Sequence, residues 1–189
     1  LDAAGLDAGQ RALEVPLSTP ARRIGVGIAG LGAGILPAMV LVGALLEHPA
    51  AQDKLRADPD LLSVAADEML RWWTPVMTFR RTAAEDCQIG SQPVRSGDKV
   101  VVSFTSANRD EAVFADPGRF DIRRQPNPHL VFGHGPHFCL GAHLARTQMR
   151  ALFAEVLART SRLEAAGPPS YLRSNFQRGV KRLPLAWTA

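Results

Sequence analysis

Residues 132–141 read Phe-Gly-His-Gly-Pro-His-Phe-Cys-Leu-Gly, and this short stretch decides how the rest of the chain is interpreted. Its three glycines and one proline oppose regular structure as far as Cys139. From Leu140 to Arg159 the only residue of either type is Gly141, which predicts a helix there. Cys139 is therefore expected where a loop enters a helix.

A thiol at such a junction meets the unpaired N–H groups and the positive dipole end of the helix, which favour the thiolate that binds metals. A lone cysteine more often packs as a small buried hydrophobic residue, and for Cys139 taken by itself that structural role is the alternative interpretation. The residues around Cys139 favour a site for a large flat group. Glycines let such a group approach the backbone closely, an aromatic ring offers an apolar face, and a histidine offers a hydrogen-bond donor. They are Gly133, Gly135 and Gly141, then Phe132 and His137.

The spacing of this stretch closely resembles the haem-binding loop of the cytochrome P450 superfamily, Phe-Gly-x-Gly-x-His-x-Cys-x-Gly, and every fixed position is matched. The resemblance implies that Cys139 is the axial thiolate of a haem b iron and that His137 lies near a haem propionate. Phe132 and Gly141 would belong to the same cofactor loop. A thiolate ligand pushes electron density onto iron and favours O–O cleavage.

A second motif lies about seventy residues earlier, on a helix predicted from Leu61 to Trp73. Glu68 and Arg71 are three residues apart and share one helix face. An exposed pair of this kind contributes only about 0.5 kcal/mol and would mean little. Glu-x-x-Arg is, however, the second signature of the superfamily, where the pair is buried and meets an arginine from a later loop. In this sequence the resemblance points to Arg119.

The resemblance also implies residues around the cofactor and the substrate. Arg81 would pair with a haem propionate, a bidentate task that suits arginine, although an arginine at a strand end is usually only solvated. Val76, Met77 and Thr78 lie in the loop that faces the substrate in the family. A closing hairpin is predicted from Tyr171 to Trp187, with a turn near Phe176 that would reach the substrate cavity.

The remaining pattern predicts a mainly α fold with small β-sheets (α+β), the C-terminal portion of the cytochrome P450 fold. Helices are expected from Pro49 to about Ala57 and near Asn108 to Val113. Strands are expected between Thr78 and Thr105, around turns at 90–91 and 96–98. The helix after the cysteine is predicted to carry one apolar face, formed by Ala145, Met149, Leu152 and Val156.

Residues 1–41 match the superfamily poorly, whereas residues 42–189 match as its haem-binding C-terminal part. The uncharged stretch from Ile24 to Leu46 is long enough to span a membrane, but a helix buried in a soluble protein is favoured. Where the family's central helix carries an acid followed by a threonine, this sequence has Gly32 and Ala33. Neither side chain can donate or accept a proton, so the family's usual proton delivery is not expected.

Composition narrows the class of protein. With 189 residues, 46% of them hydrophobic, the chain is long enough for one globular domain with a core. Two cysteines give no disulfide framework, which indicates a reducing, cytoplasmic setting. The net charge of +4 comes from scattered arginines rather than a basic block, which argues against nucleic-acid binding.

The resemblance thus implies a haem-thiolate monooxygenase, truncated or degenerate, that hydroxylates a small apolar substrate with electrons from a ferredoxin-type donor and its reductase. Residues 71–76, 106–110 and 127–130 look most like bacterial members that act on steroids or lipids. The alternative is a haem-binding module without monooxygenase activity. A membrane-anchored fragment using residues 24–46 is the least favoured hypothesis.

Overall fold

The computed structural model of the chain describes residues 22–27 and 41–188. Its helices are α1 (Pro49–Ala57), α2 (Leu62–Trp73), α3 (Phe104–Ala107) and α4 (Ala142–Arg159), with a π-helical turn at Leu41–Leu45 and 3-10 turns at Pro59–Leu61 and Gly135–His137. Its strands are β1 (Arg22–Gly27), β2 (Thr78–Thr82), β3 (Cys87–Ile89), β4 (Gln92–Val94), β5 (Lys99–Ser103), β6 (Arg162–Ala165), β7 (Ser170–Tyr171) and β8 (Val180–Thr188). The predicted class, helices with small sheets, is confirmed.

The strands form small antiparallel sheets. β8 is the central strand of the largest one, where it pairs with β1 over residues 182–187, with β6 over residues 185–188 and with β7 near its start. β2 pairs with β5, and β3 pairs with β4 across a tight turn, as the sequence predicts for residues 78–105. The β2–β5 ladder brings Thr78 opposite Ser103 and thereby places α3 beside the start of β2.

The predicted helix from Ile24 is wrong over its first residues, because Arg22–Gly27 is a strand in which Ile24 lies opposite Leu185. β-Branched Ile24 and Val26 suit a strand, the neighbouring glycines weaken a helix, and the edge of β8 supplies backbone partners. Residues 28–40, which include Gly32 and Ala33, lie outside the described residues. Within residues 22–27 and 41–188, no helix is long and apolar enough to cross a membrane.

The short helix predicted near Asn108 begins earlier, as α3. The hydroxyl of Ser103 accepts a hydrogen bond from the Ser106 amide at 3.3 Å and so caps the helix four residues ahead of the predicted start. The Asn108 amide donates to the Phe104 carbonyl at 2.9 Å, which ends the helix. Residues 109–113 form turns instead.

The core lies between α2 and α4, with β8 beside them. α2 buries Ala65, Met69 and Leu70 completely. α4 buries Met149 as predicted, but Leu152 remains 40% exposed while Phe153 is 0% exposed. The buried face of α4 is therefore rotated by about one residue from the predicted face. Burying the Phe153 ring removes more apolar surface from water than burying the Leu152 side chain would. Along α4 the fully or nearly buried residues are Ala142, Met149, Phe153 and Leu157.

Candidate functional site

Cys139 lies just before α4, in the wall of a cavity of about 800 Å³. Its amide donates to the Phe132 carbonyl at 2.8 Å, which closes the loop between the two residues. Its own carbonyl accepts from the Ala142 amide at 3.1 Å, which starts the helix. The side chain is exposed and forms no disulfide. The loop-to-helix junction predicted from the sequence is therefore present, with the thiol accessible.

Two glycines in this loop hold backbone conformations that other residues rarely adopt. Gly133 has a φ of 76° and Gly135 a φ of 72°, both in the left-handed region. Gly141 has a different role, since a Cβ atom added there would lie 3.8 Å from the Cys139 sulfur. The first two glycines thus shape the loop, and the third leaves the space beside the sulfur open.

The cavity wall is mostly apolar. The apolar side chains that line it come from the loop before β2, from the β2–β5 sheet, from α3 and from the segment before the cysteine: Val76, Phe79, Val102, Phe104, Leu130, Val131 and Phe132. Against this background the wall presents one thiol, one guanidinium and two imidazoles, from Cys139, Arg81, His134 and His137. The structure therefore brings Arg81, Phe132, His137 and Cys139, predicted from separate parts of the sequence, to one cavity. His134 was not predicted there.

The residues predicted to face a substrate lie together beside this cavity. Val76 lines it, and the Met77 amide donates to the Phe176 carbonyl at 2.8 Å. The hydroxyl of Thr78 donates to the Asn175 carbonyl at 3.0 Å. The Phe176 ring packs edge-on against Phe79, a lining residue, with centroids 5.4 Å apart. The turn before β8 therefore contacts the loop before β2, and its predicted approach to a substrate stays a prediction.

Glu68 and Arg71 form a fully buried ion pair on α2, and both side chains are 0% exposed. The Nε and Nη2 atoms of Arg71 donate to the two carboxylate oxygens of Glu68 at 2.7 and 2.8 Å. The remaining guanidinium protons go to backbone carbonyls at 2.8, 3.1 and 3.2 Å. These carbonyls belong to Asn108, Pro117 and Arg119. All five donors of the guanidinium are thus satisfied, as a buried arginine requires.

The second arginine of this cluster is Arg124, and the prediction of Arg119 is wrong. The Arg124 Nε atom lies 3.2 Å from Glu68 Oε2. The side chain of Arg119 is exposed, and only its carbonyl faces Arg71. A turn explains why Arg119 uses its carbonyl and not its side chain. In this turn the Arg119 amide donates to the Asp116 carbonyl at 3.1 Å, and the Arg119 carbonyl faces the buried Arg71 while the side chain faces solvent.

Asp67, the neighbour of Glu68, forms a second ion-pair cluster that the sequence did not predict. The Arg146 Nε atom donates to Asp67 Oδ1 at 2.7 Å, and His129 Nε2 lies 3.1 Å from the same oxygen. Burial raises the pKa of Asp67, but the hydrogen bonds from His129 and Arg146 outweigh this and hold the pKa below its ordinary value. The carboxylate is therefore the form that the folded chain stabilises.

This lowered pKa predicts how stability depends on pH. Asp67 contributes stability above its unfolded pKa of about 4, and the contribution disappears as the pH falls through the lower folded pKa. The free energy of unfolding in urea, compared between the parent and Asp67→Asn, should differ most near neutral pH and converge below about pH 4. Asp53→Asn serves as the control, because the Asp53 side chain is 79% exposed and its ion pair with Arg56 is long, at 3.6 Å. A difference that stays constant over this range would contradict the prediction.

Comparison with known proteins identifies related sequences. The family model for cytochrome P450 matches residues 38–170. The chain is 42% identical to cytochrome P450-terp of Pseudomonas sp over 144 residues, which is 76% of this chain and 34% of that protein. It is 43% identical to the steroid C26-monooxygenase of Mycolicibacterium smegmatis over 146 residues, 76% of this chain and 36% of that protein. The chain thus spans about a third of the length of these curated relatives.

Solved structures agree with the sequence matches. A versatile cytochrome P450 enzyme from Bacillus subtilis superposes with a TM-score of 0.77 at 37% identity, covering 81% of this chain and 42% of that one. A cytochrome P450 from Mycobacterium marinum in complex with pseudoionone superposes with a TM-score of 0.75 at 46% identity, covering 79% and 36%. The chain therefore superposes on less than half of each solved chain.

Proposed function

The chain belongs to the cytochrome P450 family, and from that premise we propose that it binds haem b through the Cys139 sulfur. The observation that carries the proposal is an exposed thiol in the wall of a mostly apolar cavity of about 800 Å³. A flat apolar macrocycle with charged carboxylates needs such a wall together with cationic or hydrogen-bonding groups. Arg81 and His137 supply those groups in the same wall.

The side chains present fit such a group chemically. Cys139 would ligate the iron, and the backbone turns at Gly133 and Gly135 would keep the loop clear of the ring. Phe132, 7% exposed, would pack beside it and help to exclude water. Arg81 and His137 would hold the propionates, and Gly141 would leave space beside the sulfur. When bound, a haem of this type supplies the iron at which dioxygen is activated.

We further propose that the activity is monooxygenation of a small apolar substrate, a lipid or a steroid. Relatives named as a methyl-branched lipid omega-hydroxylase, a linalool 8-monooxygenase and a steroid C26-monooxygenase support this substrate class. Val76, Met77, Thr78 and Phe176 would contact the substrate, since they meet beside the cavity. Glu68 and Arg71, with Arg124, would hold the scaffold behind it.

Electrons would come from a ferredoxin-type protein and its reductase in the cytoplasm. α4 presents His143 and Arg150, both exposed, next to the cysteine loop. An acidic donor protein would find complementary charge there, and electrostatic complementarity raises association rates. Arg146 contributes less to this surface than its sequence position suggests, because Asp67 pairs with it.

The spectrum of the reduced, haem-supplied chain under carbon monoxide tests the proposed cofactor site. A strongly red-shifted Soret band is expected, because a thiolate donates electron density to ferrous haem. A folded chain that takes up haem without this band would refute thiolate ligation. A folded chain that takes up no haem would refute the proposed function as a whole.

A second candidate function is a haem-binding module without monooxygenase activity. It is favoured by Gly32 and Ala33, which the sequence resemblance would place where the family carries its acid and threonine and which cannot pass a proton through a side chain. Substrate-dependent NADH oxidation, with a donor system added and product quantified, separates the two functions. Product formation supports the monooxygenase, whereas a thiolate spectrum without product supports the module.

Arg81→Ala is expected to weaken haem binding about tenfold, the loss of one charge-assisted hydrogen bond. The Arg81 guanidinium is available for this contact, because its hydrogen bond to the neighbouring Arg80 carbonyl, at 3.1 Å, uses one of its five donors. Haem titration followed by absorbance measures the affinity. Arg80→Ala is the matched control, since Arg80 has the same charge on the adjacent position of β2 but is not among the residues lining the cavity. Equal losses in the two variants would contradict the assignment.

A further inference from the structure

The cluster of Asp67, His129 and Arg146 joins both helices of the core to the segment that leads into the cysteine loop. Asp67 lies on α2, Arg146 on α4 and His129 three residues before Phe132. The Asp67 Oδ1 atom is shared, at 2.7 Å from Arg146 Nε and 3.1 Å from His129 Nε2. One carboxylate oxygen therefore ties together three parts of the chain that are distant in sequence.

Both partners of Asp67 contact the ring of Phe132. The Arg146 guanidinium carbon lies 4.7 Å from the ring centroid, within the range of a cation–π contact. The His129 and Phe132 ring centroids are 5.8 Å apart. Because Phe132 is only 7% exposed, these contacts lie in a well-packed environment. The ring of Phe132 thus packs against both groups that Asp67 orients.

The hydrogen bonds of His129 fix its tautomer and ring orientation. Its Nδ1 atom accepts from the Val131 amide at 3.3 Å, so that nitrogen carries no proton. The proton therefore lies on Nε2, which donates to Asp67. The side chain is 3% exposed, and a buried ring nitrogen without a partner is costly. Asp67 consequently sets the position of the imidazole as well as that of the guanidinium.

The backbone of Phe132 continues this chain of contacts to the cysteine. While its ring lies against the cluster, its carbonyl accepts the Cys139 amide at 2.8 Å. We propose that Asp67 is a positioning residue for the Cys139 sulfur, acting through His129 and Arg146 on Phe132 and through Phe132 on the Cys139 amide. The effect on loop geometry stands on these contacts alone, whereas its effect on iron rests on the proposed function.

The loop has a second, independent anchor, so loss of the cluster should loosen it locally rather than unfold the chain. The Leu130 amide donates to the side-chain oxygen of Asn108 at 2.8 Å. The amide group of Asn108 in turn donates to the Thr74 hydroxyl at 3.0 Å, and both side chains are 0% exposed. Neither contact involves Asp67, and this makes a folded Asp67→Asn chain a fair test.

Hydrogen exchange of the Cys139 amide in the full, haem-free chain tests the geometric step. Asp67→Asn should raise its exchange rate about fivefold relative to the parent, which corresponds to about 1 kcal/mol. Arg146→Gln should do the same, and the double variant should add little, because both changes break one interaction. Asp53→Asn, the same charge change at a carboxylate that is 79% exposed, should leave the rate unchanged. A Cys139 amide that exchanges equally fast in Asp67→Asn and Asp53→Asn would overturn the proposal.

The carbon monoxide spectrum of the haem-loaded chain tests the step to iron. In Asp67→Asn and Arg146→Gln, a larger fraction of the reduced protein should lack the red-shifted band, whereas Asp53→Asn should match the parent. An unchanged fraction in the first two variants would overturn the proposal while leaving the haem-thiolate function intact. A parent chain without the band would refute that function, and the exchange rates would then decide the positioning role on their own.

Discussion

The Cys139→Ala chain is expected to lose the red-shifted Soret band of the reduced, carbon monoxide-treated protein completely. The band depends on a sulfur anion donating to ferrous haem, and among the described residues that line the cavity no other carries sulfur. Haem affinity should also fall sharply, because the iron loses its protein ligand while Arg81, His137 and the apolar wall remain. Absorbance spectra and haem titration of the purified chains measure both effects.

Cys87 provides the matched control for this change. It is the chain's other cysteine, is also exposed, and lies on β3. Cys87→Ala should therefore keep the parent spectrum and the parent affinity. If Cys139→Ala retained the band at parent intensity, or if Cys87→Ala lost it, the assignment of the ligand would be refuted.

Glu68→Gln should cost about 3–5 kcal/mol of the free energy of unfolding, the penalty for breaking a buried ion pair. The substitution keeps the shape of the side chain but leaves the Arg71 guanidinium, 0% exposed, without its counter-charge. It also removes the negative charge 3.2 Å from Arg124 Nε. In addition, the Asp121 amide and the Asn127 side-chain amide, at 2.9 and 3.1 Å, would lose a charged acceptor.

Urea denaturation followed by circular dichroism measures this loss, at low temperature if the variant is marginal. Since small domains are stable by only about 5–15 kcal/mol, this loss would be a large share of the free energy of unfolding. Glu155→Gln is the control, because Glu155 pairs with Arg159 at 2.7 Å on α4 with both side chains mostly exposed. That change should cost less than about 1 kcal/mol. Comparable losses in the two variants would show that the buried cluster does not stabilise the fold as proposed.

Local chemistry explains which features could be predicted from the sequence. The cysteine loop and the start of α4 were predictable because glycines, a proline and a glycine-free run are all signals within a few residues of each other. The β3–β4 hairpin was predictable for the same reason. The pair of Glu68 and Arg71 stood out because three-residue spacing places both on one helix face.

Contacts between distant residues explain what could not be predicted. The cluster around Asp67 joins residues 62 and 79 positions apart, and no periodic pattern connects them. The choice between Arg119 and Arg124 depends on how two turns in an irregular loop point their backbones. Likewise, the strand at Arg22–Gly27 exists through pairing with β8, at the opposite end of the chain. Helix periodicity alone also failed to separate the adjacent faces that carry Leu152 and Phe153 on α4.

Arg71 holds the loop at residues 108–119 through main-chain atoms, and this determines which changes in the loop sequence the contact tolerates. Its guanidinium bonds the main-chain oxygens of residues 108, 117 and 119, atoms that every amino acid supplies. Selection on this buried contact therefore constrains the path of the loop far more than the identity of residues such as Arg119. Substitutions on the outer surface of this loop therefore leave the contacts of Arg71 intact, provided that the main chain keeps its path to the cysteine.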